Sequence, residues 1–324
     1  MDRILVTGAT GLIGQWLVKK IITEGNAVVA LVRNKEKAKA VLGKESDKLS
    51  FIVGDVTSII PQKYDIDYIV HGASQTSSKA FIDEPVETIM TAINGTKNML
   101  EIARLSSVKG FVYLSSMEVY GSPSTDEKID EIHSTNLDAM KVRSCYPESK
   151  RMCESICSSY TSEYGVPAKV VRLTQTFGPG VKYDDGRVFA EFARCAIEGR
   201  NIVLKTKGET KRNYLYTEDA VNAILTVLYK GLPGEAYNAA NESTYCSIYE
   251  MARLVAEKFG NGKTFVVIEE TDAEKLGYAP TLHMNLDTSK LRNLGWAAKT
   301  ELEEMYGMMI DNMKDEFESK KYEY

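Results

Sequence analysis

The sequence has no run of five like charges, no CxxC pair, no HExxH and no apolar stretch approaching the about eighteen residues of a membrane span. With 40 basic against 45 acidic residues and a formal net charge of -5, it lacks the basic footprint that a phosphate backbone requires. Nucleic acid is therefore not an expected partner, and neither is a membrane. The three histidines, His71, His133 and His283, stand far apart, so no protein-held metal is expected. The five cysteines (Cys145, Cys153, Cys157, Cys195, Cys246) are odd in number and unpatterned, which points to reduced thiols and a cytoplasmic protein. Met1-Asp2-Arg3 leads directly into a strand rather than a signal peptide. What is present, 324 residues with 44% hydrophobic and 26% charged, is ordinary globular material for about two structural units.

Short apolar runs alternate with helical stretches through the N-terminal third: Ile4-Leu5-Val6, Ala27 to Val32, Phe51-Ile52-Val53, Tyr68-Ile69-Val70 and Phe111 to Leu114. Runs apolar at consecutive positions fit strands buried on both faces, and helices between them imply parallel crossovers. The spacing predicts an α/β fold with a doubly wound parallel sheet over residues 1–174, to which approximately 213–240 return. Glycines and prolines punctuate shorter mixed segments after Arg172, which predicts a smaller, discontinuous α/β domain over 175–212 and 241–324.

Directly after the first strand, Thr7-Gly8-Ala9-Thr10-Gly11-Leu12-Ile13-Gly14 places three glycines at intervals of three and opens a helix. Glycines there permit a tight turn, close approach of a pyrophosphate and close helix packing, and the helix N-terminus offers free N–H groups. Gly8, Thr10, Gly11, Leu12, Ile13 and Gly14 are thus candidate dinucleotide contacts. Val32 stands where such sites usually carry an acid for the ribose hydroxyls, and Arg33 follows it; Arg33 favours NADP over NAD, with a merely solvated strand-end charge as the alternative. Asp55, with Val56, ends the third strand in position to accept from the adenine amine. Gly72, Ala73 and Ser74 end the fourth strand with room for a cofactor, and His71 before them is read as structural rather than catalytic.

Tyr146 and Lys150 stand four apart, on one face of a helix, where an ammonium near the phenol favours the phenolate. Ser116 ends a strand thirty residues upstream of Tyr146, where its hydroxyl can hold the same substrate oxygen. Together with the glycine turn, these residues resemble the extended short-chain dehydrogenase/reductase family, the NAD(P)-dependent nucleotide-sugar epimerases and dehydratases. The resemblance runs through Ser115-Ser116-Met117-Glu118-Val119-Tyr120-Gly121, Arg172 to Pro179, Lys211 to Asp219, Tyr237-Asn238 and Leu286 to Trp296. It implies a Rossmann cofactor domain, a C-terminal domain that clamps a nucleoside-diphosphate sugar, and a homodimer. It further implies that Tyr146 removes the C4-hydroxyl proton, Ser116 donates to the developing carbonyl, Lys150 lowers the Tyr146 pKa and Glu118 takes the C5 proton. Asn94 matches a residue bridging sheet and active site, and substrate contacts are expected at Thr76, Gln175, Arg187, Arg212 and His283.

Met117 stands where dTDP-glucose-type dehydratases carry an aspartate for C6 hydroxide departure. Pro85-Val86-Glu87-Thr88, Arg143-Ser144-Cys145-Tyr146 and Asp185-Gly186-Arg187-Val188 resemble UDP-glucuronate decarboxylases, although Met117 replaces a serine and His283 an arginine of that type. Epimerase or dehydratase chemistry through a 4-keto sugar is the first expectation. UDP-glucuronate decarboxylation comes second and a net NADPH-dependent ketosugar reductase third; a dinucleotide-sensing binding protein is the non-enzyme alternative. Met305, Met308 and Met309 are read as packing.

Overall fold

The structure is a computed structural model that describes residues 1–133, 137–271 and 281–321, with side chains to residue 317. The chain begins β1 (Arg3–Thr7), α1 (Leu12–Thr23), β2 (Ala27–Val32), α2 (Lys35–Leu42), β3 (Leu49–Val53) and β4 (Tyr68–His71). It continues α3 (Ala80–Asp83), α4 (Pro85–Ser106), β5 (Gly110–Ser116), α5 (Cys145–Tyr164) and β6 (Ala168–Leu173). Then come β7 (Gln175–Phe177), α6 (Val188–Glu198), β8 (Ile202–Leu204), β9 (Lys211–Tyr216), α7 (Thr217–Lys230) and β10 (Ala236–Ala239). The last elements are β11 (Asn241–Ser247), α8 (Ile248–Phe259), β12 (Val266–Ile268), β13 (His283–Met284), α9 (Ser289–Arg292) and α10 (Leu302–Lys321).

Seven strands form one parallel sheet in the order β10-β6-β5-β4-β1-β2-β3. All six residues of β2 are buried, which is why its apolar positions are consecutive rather than alternate. Ile4, Val6, Val28, Ala30, Val70 and Val112 face the helices α1 and α7 through Leu17, Ile21, Val221 and Ile224. On the opposite face, Leu5, Val29, Leu31, Ile69 and Phe111 meet α4 and α5 through Met99, Ile102, Ala103, Cys153 and Cys157. Each fully buried aliphatic side chain contributes roughly 1.5–3 kcal/mol, so a single Leu5→Ala change costs about 2–5 kcal/mol. Chain order reverses between β1 and β4, and the crevice beyond their carboxyl ends is where an open α/β sheet takes its ligand.

A smaller sheet joins β7, β9, β11 and β13, and β8 pairs with β12. Phe177, Phe189, Phe192, Tyr214, Met251, Val255, Met305, Tyr306 and Met309 fill the core beneath it. Within the stretch expected to return to the first sheet, α7 packs on α1 and β10 pairs with β6. Residues 213–216 instead extend β9, because Tyr214 to Tyr216 pair in register with Gln175 to Phe177 of β7.

Candidate active site

The glycine turn is closed by backbone packing. Gly8 has φ +70°, and a Cβ there would lie 2.8 Å from the Gly72 carbonyl carbon, so the turns after β1 and β4 touch. A Cβ on Gly14 would lie 2.1 Å from the Gly8 oxygen. The N-cap of α1 is Gly11, with no side-chain cap and no acid in the first turn, which leaves the first N–H groups to an anion. Thr10, Leu12 and Ile13 are half-buried around this turn, and Leu12 leans on the core of the smaller sheet. The arrangement fits a pyrophosphate: backbone amides at a helix start, a cradle that any side chain would fill, and no competing carboxylate.

Thr7, absent from the expected site, links the two turns. Its hydroxyl accepts from the amides of Gly72 at 3.1 Å and Ala73 at 3.0 Å and lies 2.7 Å from His71 Nδ1. Ser74 is half-buried just beyond, Thr76 is exposed, and Asn94 is half-buried on α4. At the far end, Arg33 is exposed past β2 and makes no ion pair among the described residues. Asp55 Oδ1 accepts from the Thr57 amide and hydroxyl at 2.9 and 2.7 Å, and the amide bond above all holds its carboxyl below the usual range. Oδ2 makes no hydrogen bond among the described residues, so it can accept a further donor. Val56 is buried, its carbonyl held by Asn98 Nδ2 at 2.9 Å.

Ser116, Tyr146 and Lys150 come together. Ser116 ends β5 and accepts from the Glu118 amide at 3.2 Å, so its hydroxyl proton is available to donate, and it lies close enough to the Tyr146 phenol to influence its titration. Tyr146 lies in the first turn of α5, 8% exposed and stacked on Phe81 with ring centroids 4.4 Å apart. One turn later the buried Lys150 ammonium donates to the Leu114 carbonyl at 2.8 Å and sits 5.7 Å from the Tyr146 ring centroid. Burial pushes the Lys150 ammonium down to about 8. Burial likewise pushes the Tyr146 phenol well up; the Glu118 carboxylate reinforces this, while the Ser116 hydroxyl and the Arg143 charge oppose it. The Tyr146 phenol thus sits above its ordinary value because desolvation is the largest influence on it, while the Lys150 ammonium is engaged by the Leu114 carbonyl.

Glu118 pairs with Arg143 at 2.9 Å, and Arg143 stacks over Phe81 at 4.7 Å, so a carboxylate and a guanidinium flank the Tyr146 ring. Arg143 was visible only as part of a local resemblance; its place three residues before Tyr146 is the signal that could have marked it. Ser115 points the other way and donates to Glu154 at 2.6 Å, and Glu154 binds Arg172 at 2.7 Å. Met117 is 6% exposed and packs with Val119, Tyr120, Met284 and Leu286 rather than entering the cleft.

The expected substrate ligands lie on the smaller sheet and its approaches. Gln175 is half-buried at the start of β7, next to Thr174, whose hydroxyl lies 3.2 Å from Met117 Sδ. Arg212 makes no ion pair among the described residues, and its buried Nε has no partner. Arg187 is already held by Asp185 at 2.6 Å and by the Phe189 ring at 4.7 Å. His283 Nδ1 lies 3.0 Å from Asp126, which also binds Lys211 and Tyr245. Among the described residues no group of three or more metal-ligating side chains occurs, and no helix is long and apolar enough to cross a membrane.

The sequence pattern of the NAD dependent epimerase/dehydratase family matches residues 4–240. The chain belongs to this family. It is similar to UDP-glucuronic acid decarboxylase 1 of Xenopus tropicalis, 29% identical over 320 residues spanning 98% of this chain and 73% of that protein. UDP-glucuronic acid decarboxylase 3 of Arabidopsis thaliana is 30% identical over 318 residues, 96% of this chain and 89% of that one. The fold is that of the UDP-glucose 4-epimerase of Thermotoga maritima, solved with UDP-glucose: TM-score 0.82 at 23% identity over 97% of this chain and 99% of that one. A dTDP-glucose 4,6-dehydratase of Streptomyces venezuelae, solved with NAD, gives TM-score 0.80 at 21% identity, covering 97% of each chain. As a family member the chain is an enzyme of the epimerase/dehydratase type that works with a nicotinamide dinucleotide.

Proposed function

We propose that this enzyme acts on a nucleoside-diphosphate sugar through a transient 4-keto sugar and regenerates its cofactor within each turnover. The observation that carries the reading is the Ser116 hydroxyl beside the Tyr146 phenol, with Lys150 buried one turn behind it. A bound nicotinamide supplies the hydride acceptor and later the donor. Tyr146 takes the proton of the C4 hydroxyl, Ser116 donates to the oxygen that becomes the carbonyl, and Lys150 places positive charge behind the phenol. Glu118, fixed by Arg143, exchanges the C5 proton that the adjacent ketone acidifies. Gln175 and Arg212 are the proposed ligands of the sugar diphosphate, Arg212 because its charge is unpaired. Thr76 and His283 flank the sugar in this reading, and Arg187 contributes only if Asp185 releases it.

UDP-glucuronate decarboxylation is the second reading. The decarboxylase relatives favour it, and so does Arg143, a partly exposed guanidinium beside Tyr146 where a uronate carboxylate needs a cation. Loss of carbon dioxide from a 4-keto-uronate needs no acid at position 117, in keeping with the burial of Met117. We place NADP ahead of NAD on the exposed, unpaired Arg33, with Asp55 toward the adenine. A homodimer through α4 and α5 is supported by exposed Val86 and Met90 on one helix and Met152 on the other. Five unpaired cysteines support a reducing, cytoplasmic setting. Incubation with UDP-, dTDP-, GDP- and CDP-sugars in deuterated water tests the roles. Tyr146→Phe is expected to abolish conversion, and Glu118→Gln to cut deuterium entry at C5 by about 10²-fold or more. Undiminished C5 exchange in Glu118→Gln contradicts the role given to Glu118.

A further inference from the structure

The Thr7 hydroxyl has two lone pairs and one proton. Both lone pairs are engaged by the Gly72 and Ala73 amides, at 3.1 and 3.0 Å. The proton therefore goes to the remaining neighbour, His71 Nδ1, at 2.7 Å. That fixes the His71 tautomer: Nδ1 accepts and the ring proton sits on Nε2, which has no partner among the described residues. The ring is fully buried between Phe111 and Tyr113, with centroids 6.3 and 5.8 Å away, and against Gly95 of α4. Burial, and then the Lys150 charge, push its pKa down to about 3, so it is neutral at physiological pH.

We propose that His71 is a positioning residue for cofactor binding, acting as the proton acceptor that turns the Thr7 hydroxyl toward the Gly72 and Ala73 amides. Held that way, the Gly72 backbone lies against Gly8, where a Cβ would meet it at 2.8 Å, and the two turns form one wall of the dinucleotide crevice. Without an acceptor at Nδ1 the buried hydroxyl proton must find another partner, and the hydroxyl rotates away from at least one amide. The inference rests on the reading of this crevice as a cofactor site.

The test measures NAD and NADP dissociation constants by titration calorimetry, with kcat at saturating cofactor, for His71→Phe, His71→Asn, Thr7→Val and the double variant. His71→Phe keeps a ring but no acceptor and is expected to weaken cofactor binding about tenfold, the loss falling in affinity rather than in kcat. His71→Asn, with Oδ1 in the place of Nδ1, is expected to restore most of it. Because His71 acts through Thr7, the double variant is expected to bind no worse than Thr7→Val alone. Multiplying effects of the two single changes, or wild-type affinity in His71→Phe, overturns the proposal. If the variants do not fold, ¹⁵N shifts of the wild-type ring decide it: a proton on Nε2 alone is expected, and a proton on Nδ1 overturns it. Failure of the wild-type protein to bind either dinucleotide would instead overturn the cofactor reading and leave the tautomer result standing.

Discussion

Replacing Gly14 by alanine tests the closeness of the first helix to the turn that precedes it. An alanine Cβ would lie 2.1 Å from the Gly8 oxygen, 2.7 Å from Ala9 Cα and 2.8 Å from the Ala9 carbonyl carbon. All three are backbone atoms, so relief requires α1 to move off the turn by more than an ångström. Overpacking costs about 1–3 kcal/mol where side chains can yield, and here they cannot, so about 3 kcal/mol is expected. With an unfolding entropy of about 2.1 cal/mol/K per residue, a chain of this length loses about 4 °C of Tm. The same movement shifts the first-turn amides, so cofactor affinity falls at least about tenfold, equivalent to about 1.4 kcal/mol. Gly11→Ala is the control for stability, since its Cβ would lie 3.3 Å from the Gly8 oxygen and a small adjustment accommodates it. Thermal unfolding of both variants reads the difference, with cofactor titration of Gly14→Ala against the wild type. A Gly14→Ala protein that melts and binds cofactor like the wild type would refute the account of the turn.

Three further expectations follow from buried charge. Glu154→Ala strands the Arg172 guanidinium, whose side chain is only 13% exposed, and is expected to cost about 3–5 kcal/mol in urea unfolding; a cost under about 1 kcal/mol contradicts a buried pair. His71, depressed from 6.5 to about 3 by burial, contributes stability that is present above about pH 6.5 and lost as pH falls toward 3. Between pH 6.5 and 4.5 that amounts to roughly 2.3 kcal/mol, and His71→Asn is expected to flatten the wild-type slope; parallel slopes in urea unfolding contradict the buried neutral ring. The Lys150 ammonium titrates near 8 in the free enzyme, so kcat/KM is expected to fall above about pH 8. Lys150→Arg, if it retains activity, is expected to lose that limb of the profile, and an unchanged limb assigns it elsewhere.

The features legible in the sequence are those written in adjacent residues. The six apolar positions of β2, the glycine series and the Tyr146/Lys150 spacing each depend on local geometry, and each element stands where the pattern places it. What stayed hidden joins distant segments: Thr7 with His71 across 64 residues, and Arg143 with Glu118 across 25. Some missed features were within reach of the pattern. Alternation along β5 already places Ser115 and Ser116 on opposite faces, so only one can meet Tyr146. Arg187, two residues from Asp185, was open to local neutralisation. The direction of the Tyr146 shift was not legible, since it depends on the burial of a ring that stacks on Phe81 and on the Glu118 carboxylate coming near it.

The most direct test is turnover against cofactor. Purified enzyme is supplied with cofactor far below the concentration of each nucleotide sugar, and product is followed by mass and nicotinamide by absorbance. The account predicts conversion well beyond the cofactor supplied with no net change in its redox state, the product mass separating epimerisation, dehydration and decarboxylation. Conversion that stops when the cofactor is spent would contradict it and make the ketosugar a substrate rather than an intermediate.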